Sequence, residues 1–398
     1  MKIVYITPFP PSKDGIADYS YKLLAAIKRQ SKKIDIVSIY SFKKNRSGDK
    51  SQQALMSYNI FDWIKINRQI KKNRPDLVHL QFDISNYMLL VLPLYLLVWN
   101  IKRTLPTKLA VTYHEAYRDR ELYGRLATLF YRIFSRPFDR IYVHTELSKQ
   151  RLVDDFKITP AKIVHIPHGS FEFSSKKQNH STLRRRYRID DNKVVLSFGY
   201  IYKSKGLEHL VDAITLLKDE GENIPIVLIA GEVPRRHGIF KIFQFRNELY
   251  LASLKKRIRY AGIDDYVRFI GYIDRNEVYS LFTLAQIVVL PYISVDQSGV
   301  LSIAIASHTP VIASDIGGIG EILRDAGVLV PPADSQALAK SLAEVFNSRS
   351  LRIIVSGAYA ELCKKMSAQA TIRSISVDYF KIIRLRSISS EKKLEKNV

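Results

Sequence analysis

Two successive series of short apolar runs, each alternating with longer amphipathic stretches, constrain this 398-residue chain more than any other feature. The first series falls at residues 2–6, 34–39, 77–81, 109–113, 141–144 and 163–166, with helical patterns such as 19–28, 60–71 and 122–134 between the runs. The second falls at 194–198, 226–230, 267–270, 287–290, 311–313 and 328–330, with helical patterns such as 207–217 and 338–346. Short continuous apolar runs read as strands buried on both faces. Their alternation with helices is the pattern of βαβ units and a parallel sheet. The expected fold class is α/β: two Rossmann-like doubly wound domains facing a central cleft. The expected boundaries are an N-terminal domain over 1–170, a linker over 171–188 and a C-terminal domain over 189–370. A closing helix over 371–386 returns to the N-terminal domain, and a frayed tail covers 387–398. Within the linker, Ser174-Ser175-Lys176-Lys177 is the connecting part, and Arg184-Arg185-Arg186 opens a helix.

Composition supports two packed cores, because 46% of residues are hydrophobic and 11% aromatic. The single cysteine, Cys363, excludes an intramolecular disulfide and suits a reducing cytosol. The apolar run at 2–6 is too short for a secretory signal core. The longest apolar run, 87–99, is interrupted by Pro93 and falls short of the roughly 20 residues of a membrane-spanning helix. A cytoplasmic location is therefore expected. The net charge of +24 is concentrated in the N-terminal half, with 29 Lys+Arg against 14 Asp+Glu over 1–170 and 33 against 24 over 171–398. Such a surface attracts nucleic acid, anionic lipid and phosphorylated small molecules alike.

Ligands of open parallel sheets bind at the carboxyl ends of the strands, and the distinctive loops here all follow strands. Gly15 stands between the first strand and its helix, where a glycine admits a phosphate or sugar to the helix N-terminus; alone it reads equally as an ordinary turn. His114 ends the run at 109–113 and is a candidate donor or acceptor for a sugar hydroxyl, or else a structural strand-end residue. The second domain opens with a strand ending at Gly199, then Lys203 and Lys205-Gly206 at a helix start, which places an ammonium and a helix N-terminus where a diphosphate binds. The spacing is not that of a GxxxxGK[ST] loop. Further on, Asp296-Gln297-Ser298-Gly299-Val300 joins a strand to a helix, with Asp296 as a sugar-hydroxyl acceptor and the Ser298, Gly299 and Val300 amides as phosphate donors. The Gly317-Gly318-Ile319-Gly320-Glu321 loop follows the next strand.

In combination these segments resemble the retaining GT-B glycosyltransferases of family four, over nearly the whole chain. The residues that carry the resemblance also include Ile229-Ala230-Gly231-Glu232, Val267-Arg268-Phe269-Ile270-Gly271-Tyr272-Ile273, Thr309-Pro310-Val311-Ile312-Ala313-Ser314, His144-Thr145-Glu146 and Ile166-Pro167-His168-Gly169. The resemblance implies transfer of a hexose, with retention, from a UDP-sugar or GDP-mannose to a glycan or lipid-linked acceptor in surface polysaccharide biosynthesis, without a metal or other cofactor. It makes His114, Asp296 and Lys205 the catalytic candidates. Donor contacts are implied at Gly15, Gly199, Lys203, Lys205, Gly231, Tyr272, Ile273, Ser298, Gly299, Val300 and Glu321. Two departures stand out. The family often pairs two glutamates eight positions apart; here Asp296 stands near the first position, and Ile303 or Ala304 occupies the second. The family's arginine after Gly199 is replaced by Tyr200.

The segment 122–136 places Leu122, Leu126, Leu129, Phe130 and Ile133 on one helical face with Arg125, Arg132 and Arg136 largely off it, a pattern for an anionic inner membrane face or for a core-facing helix. Other readings are another GT-B enzyme, such as a sugar-nucleotide epimerase, and a basic nucleic-acid-binding protein. The second lacks any RNP, KH or zinc pattern, so no nucleic-acid partner is expected. A dinucleotide oxidoreductase lacks its GxGxxG loop.

Overall fold

Each series of apolar runs becomes one parallel sheet. The computed structural model describes every residue except 11, 13–14, 42–51, 58, 88–89, 171–178, 190–192, 236–240 and 396–398. The Ser174 to Lys177 part of the expected linker lies outside the described residues. The chain divides into two units, Met1–Gly169 with Ala368–Val398, and Ser170–Ser367.

Unit 1 contains β1 (Lys2–Ile6), α1 (Gly15–Gln30), β2 (Asp35–Ser41), β3 (Gln52–Leu55), α2 (Ile60–Asn73), β4 (Leu77–Phe82), α3 (Ile84–Tyr87), α4 (Val91–Thr104), β5 (Lys108–Tyr113), α5 (Ala116–Phe134), β6 (Arg140–Val143), α6 (Glu146–Asp154) and β7 (Ile163–His165). Unit 2 contains α7 (His180–Arg186), β8 (Val194–Phe198), α8 (Leu207–Asp219), β9 (Ile226–Ala230), α9 (Lys241–Ala261), β10 (Val267–Gly271), α10 (Arg275–Leu284), β11 (Ile287–Leu290), α11 (Gly299–Ala306), β12 (Val311–Ser314), α12 (Gly317–Leu323), β13 (Val328–Val330), α13 (Ser335–Asn347) and α14 (Arg349–Lys365). The closing helix α15 (Ala368–Glu395) belongs to unit 1.

The sheet of unit 1 has the order β3-β2-β1-β4-β5-β6-β7, and that of unit 2 has β10-β9-β8-β11-β12-β13. All pairings between these strands are parallel. Strand order reverses beside the first strand of each sheet, between β1 and β4 and between β8 and β11. Crevices at such reversals are where doubly wound sheets take their ligands. Strands such as β4 and β9 are buried along their whole length, which explains their near-continuous apolar character.

Four elements depart from the sequence expectation. Arg184-Arg185-Arg186, expected to open a helix, instead forms the last turn of α7, whose start is set by Asn179 capping Ser181 N. Strand β3 was not anticipated: Gln52-Gln53-Ala54-Leu55 is no apolar run, and it pairs as an edge strand with β2 only. The tail from 387, expected to fray, continues α15 to Glu395; 387–395 contains no Gly or Pro and includes Glu, Lys and Leu, which favour helix. Helix α5 is broken at Gly124 (φ 56, ψ −131), so the segment 122–136 is not one continuous helical face.

Helix α15 is tied to unit 1 by polar contacts. Asp378 Oδ2 accepts from Tyr142 Oη (2.8 Å) and pairs with Arg140 Nε (2.9 Å), and Tyr379 Oη lies 2.5 Å from Tyr5 Oη. In unit 2, Ser170 N donates to Met366 O (2.7 Å), where the chain enters and leaves the unit.

Candidate functional site

In unit 2, the loops after β8 and β11 meet at the sheet's reversal point. A 3₁₀ turn, Lys203–Lys205, ends at Gly206, which caps α8 in a left-handed conformation. A Cβ on Gly206 would lie 2.0 Å from Pro291 O, so the loops approach as closely as only glycine permits. Ile293 N donates to Ser204 O (3.0 Å), which locks the two loops together. The result places Lys205 Nζ 3.6 Å from the centroid of the Tyr292 ring. A half-buried ammonium held on an aromatic face beside a helix N-terminus suits a diphosphate. The Tyr292 Oη and the Gln297 Oε1 are buried without a hydrogen-bond partner among the described residues. Buried polar atoms of this kind call for a ligand or water.

The neighbouring loops close round the same end of the sheet. Gly231 (φ 149) follows β9, and a Cβ there would sit 1.8 Å from Gly199 O. Gly199 N donates to Ala230 O, and Gly231 N to Gly271 O (2.7 Å). Ser298 caps α11, its Oγ accepting from Leu301 N (3.2 Å), which leaves the first-turn amides of Gly299 and Val300 outside the intrahelical ladder. Asp296 is buried, and its carbonyl accepts from Gly318 N (2.8 Å), joining the β11 loop to the β12 loop. Tyr272 is exposed, whereas Ile273 packs in the core, so the Ile273 side chain is not a ligand contact. Lys203 is exposed and Glu321 half-buried on α12. A depression of about 360 Å³, lined by Glu208, Ser253, Leu254, Lys256, Arg257 and Tyr260, is built from α8 and α9 rather than from these loops.

Gly15 and His114 lie in unit 1. Gly15 starts α1, exposed, with nothing near its missing Cβ. His114 follows β5, is buried, and lies 2.8 Å through Nε2 from the Oε1 of buried Gln81 on β4. With Nε2–H donating to that oxygen, Nδ1 is left as an acceptor, and it has no partner among the described residues. Around it lie Tyr19 (5.5 Å between ring centroids) and His144 (5.1 Å), and His168 lies 4.5 Å from Tyr19. His144 Nδ1 donates to Ile166 O (2.9 Å). On β4, His79 bridges Tyr379 and Thr112.

These imidazoles are held neutral. Burial, reinforced by His144, lowers His79 to about 3. Burial lowers His144 to about 4, opposed by its bond to the Ile166 carbonyl. Burial, with the neighbouring histidines, holds His114 well below the usual imidazole range. His168 is depressed in the same way, by burial first. A neutral His114 offers a hydroxyl a fixed acceptor rather than a proton.

The sequence reading assigned no role to Tyr292, Gln81 or Tyr19, and named His144 and His168 without one. His79 and Gln81 did carry a signal: two polar residues at i and i+2 inside an apolar strand share one buried face, and buried polar groups need partners.

A protein of two doubly wound parallel sheets, with a lysine and helix N-termini gathered at one reversal point, has the architecture of a GT-B protein. The solved structure of Anabaena HepE in complex with UDP matches it with a TM-score of 0.76 at 16% identity, covering 96% of this chain and 100% of that one. The family model of the glycosyl transferases group 1 matches residues 179–371, and that of glycosyltransferase family 4 matches 50–170. It is 27% identical over 199 residues to the alpha-D-kanosaminyltransferase of Streptomyces kanamyceticus, covering 48% of this chain and 47% of the relative. It is 26% identical over 255 residues to the D-inositol 3-phosphate glycosyltransferase of Corynebacterium kroppenstedtii, covering 62% and 54%. The chain thus spans about half the length of the curated relatives it matches.

Proposed function

We propose that the chain is a retaining hexosyltransferase that takes a nucleotide-diphosphate sugar, a UDP-sugar or GDP-mannose, and delivers the sugar to a glycan or lipid-linked acceptor of surface polysaccharide biosynthesis. The observation that carries this reading is Lys205 fixed over Tyr292 at the β8/β11 reversal point. Lys205 and the N-termini of α8 and α11 neutralise the diphosphate as the sugar leaves, so fixed positive charge replaces a metal ion. Asp296 and Gln297 hold the sugar and phosphates at the β11 loop. His114 Nδ1 accepts a hydrogen bond from a sugar hydroxyl. Support for a nucleotide-sugar donor also comes from the HepE complexes with UDP and UDP-glucose.

The acceptor side of the proposal places unit 1 on the inner, anionic face of a membrane. Among the described residues no helix is long and apolar enough to cross one. After the break at Gly124, α5 buries Ala127, Tyr131 and Phe134 and leaves Tyr123, Leu126, Leu129 and Ile133 exposed beside Arg125 and Arg132. Of the apolar face expected from the sequence, Leu126, Leu129 and Ile133 are exposed while Phe130 packs against the core, so the exposed part supports an interfacial reading. Leu92 and Leu96 on α4 are exposed as well, and Tyr95 joins α4 to α5 through a ring contact with Phe134.

The deciding experiment is thermal stabilisation against UDP, GDP, ADP and their sugars, with and without EDTA. One nucleotide is expected to raise Tm, equally with EDTA, and Lys205→Ala is expected to abolish the rise and lower kcat/KM by about 100-fold. No stabilisation by any nucleotide would sink the reading, and a rise abolished by EDTA would sink the metal-free part of it.

A further inference from the structure

Helix α9 carries two apolar faces, and folding accounts for only one. The inner seam is Leu254 and Ile258, buried in the unit 2 core, with Tyr250, Leu251 and Ala261 packed against it. The outer face holds Ile242 (62% exposed), Phe245 (58%), Leu249 (55%) and Tyr260 (80%). At about 100° per residue these four fall within an arc of roughly 60°, opposite the seam. Such a stripe is left largely uncovered by the described residues and marks a surface that meets something apolar.

Charge indicates what that is. Along α9 stand six basic residues, Lys241, Arg246, Lys255, Lys256, Arg257 and Arg259, against one acidic residue, Glu248. Arg257 is engaged with Asp212 (2.9 Å). By the same helical arithmetic Arg246 borders the outer stripe and Lys256 falls within its arc between Leu249 and Tyr260, and Lys256 Nζ lies 5.4 Å from the centroid of the Tyr260 ring. A second copy of the chain would bring like charge against like, on a chain of net +24. A stripe mixing Ile and Leu with aromatics, bordered by Lys and Arg, suits an interfacial helix whose cations meet lipid phosphates while its apolar side chains enter the headgroup boundary.

We infer that the outer face of α9 docks on an anionic lipid surface, as a second membrane contact in unit 2, separate from α5. This extends the membrane part of the proposed function, so the test separates the two helices. The full chain is floated with vesicles of phosphatidylcholine alone and with added phosphatidylglycerol. The variants are Phe245→Glu with Leu249→Glu, Arg246→Ser with Lys256→Ser, and on α5 Leu126→Glu with Leu129→Glu. Each is checked for unchanged Tm and unchanged stabilisation by nucleotide.

Wild type is expected to bind only the anionic vesicles. The apolar α9 pair is expected to reduce binding about tenfold or more, and the cationic pair to reduce it and weaken its salt dependence. Binding lost in the α5 pair but unchanged in both α9 pairs overturns the inference and leaves the α5 reading standing. Binding lost in the α9 pairs but unchanged in the α5 pair supports α9 and overturns α5. Absence of wild-type binding overturns both. A wild-type dimer that the Phe245→Glu, Leu249→Glu variant converts to monomer, by light scattering, assigns the stripe to self-association and overturns the lipid inference.

Discussion

The site in unit 2 is made of backbone and the site in unit 1 of side chains. In unit 2, loops after β8, β9 and β11 approach so closely that Gly206 and Gly231 have no room for a Cβ, and the polar features are mainly amides and helix N-termini, with the Lys205, Asp296 and Gln297 side chains placed by the same loops. In unit 1, the equivalent end of the sheet is filled by Tyr19, His114, His144 and His168, and the chemistry rests on which nitrogen of His114 its bond to Gln81 leaves as an acceptor. A backbone site tolerates few substitutions because its geometry is steric. A network of neutral imidazoles is easier to disturb by pH or by removing one partner.

The contrast can be broken at several points. The largest effect is expected from Gly231→Ala, whose Cβ would meet Gly199 O at 1.8 Å. A loss of about 3 kcal/mol or more, seen as a Tm lower by roughly 10 °C together with lost nucleotide stabilisation, is expected; a Tm within a degree or two of wild type would show that the loops are not sterically locked. Next comes His114→Ala, expected to cost about 10- to 100-fold in kcat while stabilisation by the bare nucleotide diphosphate is retained. Gln81→Leu should lower kcat about tenfold by freeing the imidazole's orientation; equal losses of nucleotide stabilisation in either variant would contradict the division of labour between the units.

The pH dependence is specific to unit 1. His79 and His144 are depressed to about 3 and about 4 in the fold, against about 6.5 when unfolded. Below about 6.5 the unfolded chain binds protons that the native imidazoles refuse. Their neutral burial is therefore fully compatible with stability above about pH 6.5, and stability is lost as pH falls through the range from 6.5 to 4 and 3. Each group contributes a slope approaching about 1.4 kcal/mol per pH unit. Tm followed from pH 7.5 to 4.5 should fall in wild type and fall less steeply in His144→Asn; parallel curves would contradict the assignment. The smallest effect is expected from Tyr200→Arg, which supplies the arginine the resembled family often has after Gly199. A several-fold tighter nucleotide diphosphate, read by calorimetry, is expected, and no change would mean that Lys205 already saturates the phosphate contacts.

Some of this was legible in the chain and some was not, for identifiable reasons. The strands other than β3 announced themselves, because a strand buried on both faces is largely apolar. Edge strand β3, with Gln52 and Gln53, has no such requirement. Lys205, Gly206, Gly231 and Ser298 were visible because phosphate-binding loops after strands need glycine, a cation and a cap. That the Ile273 side chain joins the core was not legible, because a residue at a loop edge does not declare where its side chain packs; a donor contact expected there is one of backbone. Tyr292 and Gln81 went unassigned because their roles exist only through partners 87 and 33 positions away in the chain, at Lys205 and His114.

The sequence by itself determined two parallel α/β sheets and the loops that carry polar function, because hydrophobic periodicity and glycine placement are local properties. Tertiary structure alone decided which apolar face of α5 and α9 is buried, which nitrogen of His114 is free, and that Lys205 rests on Tyr292. A helical repeat specifies that a face exists but not what it meets, and a hydrogen bond between distant residues is created only when the sheet brings their strands side by side.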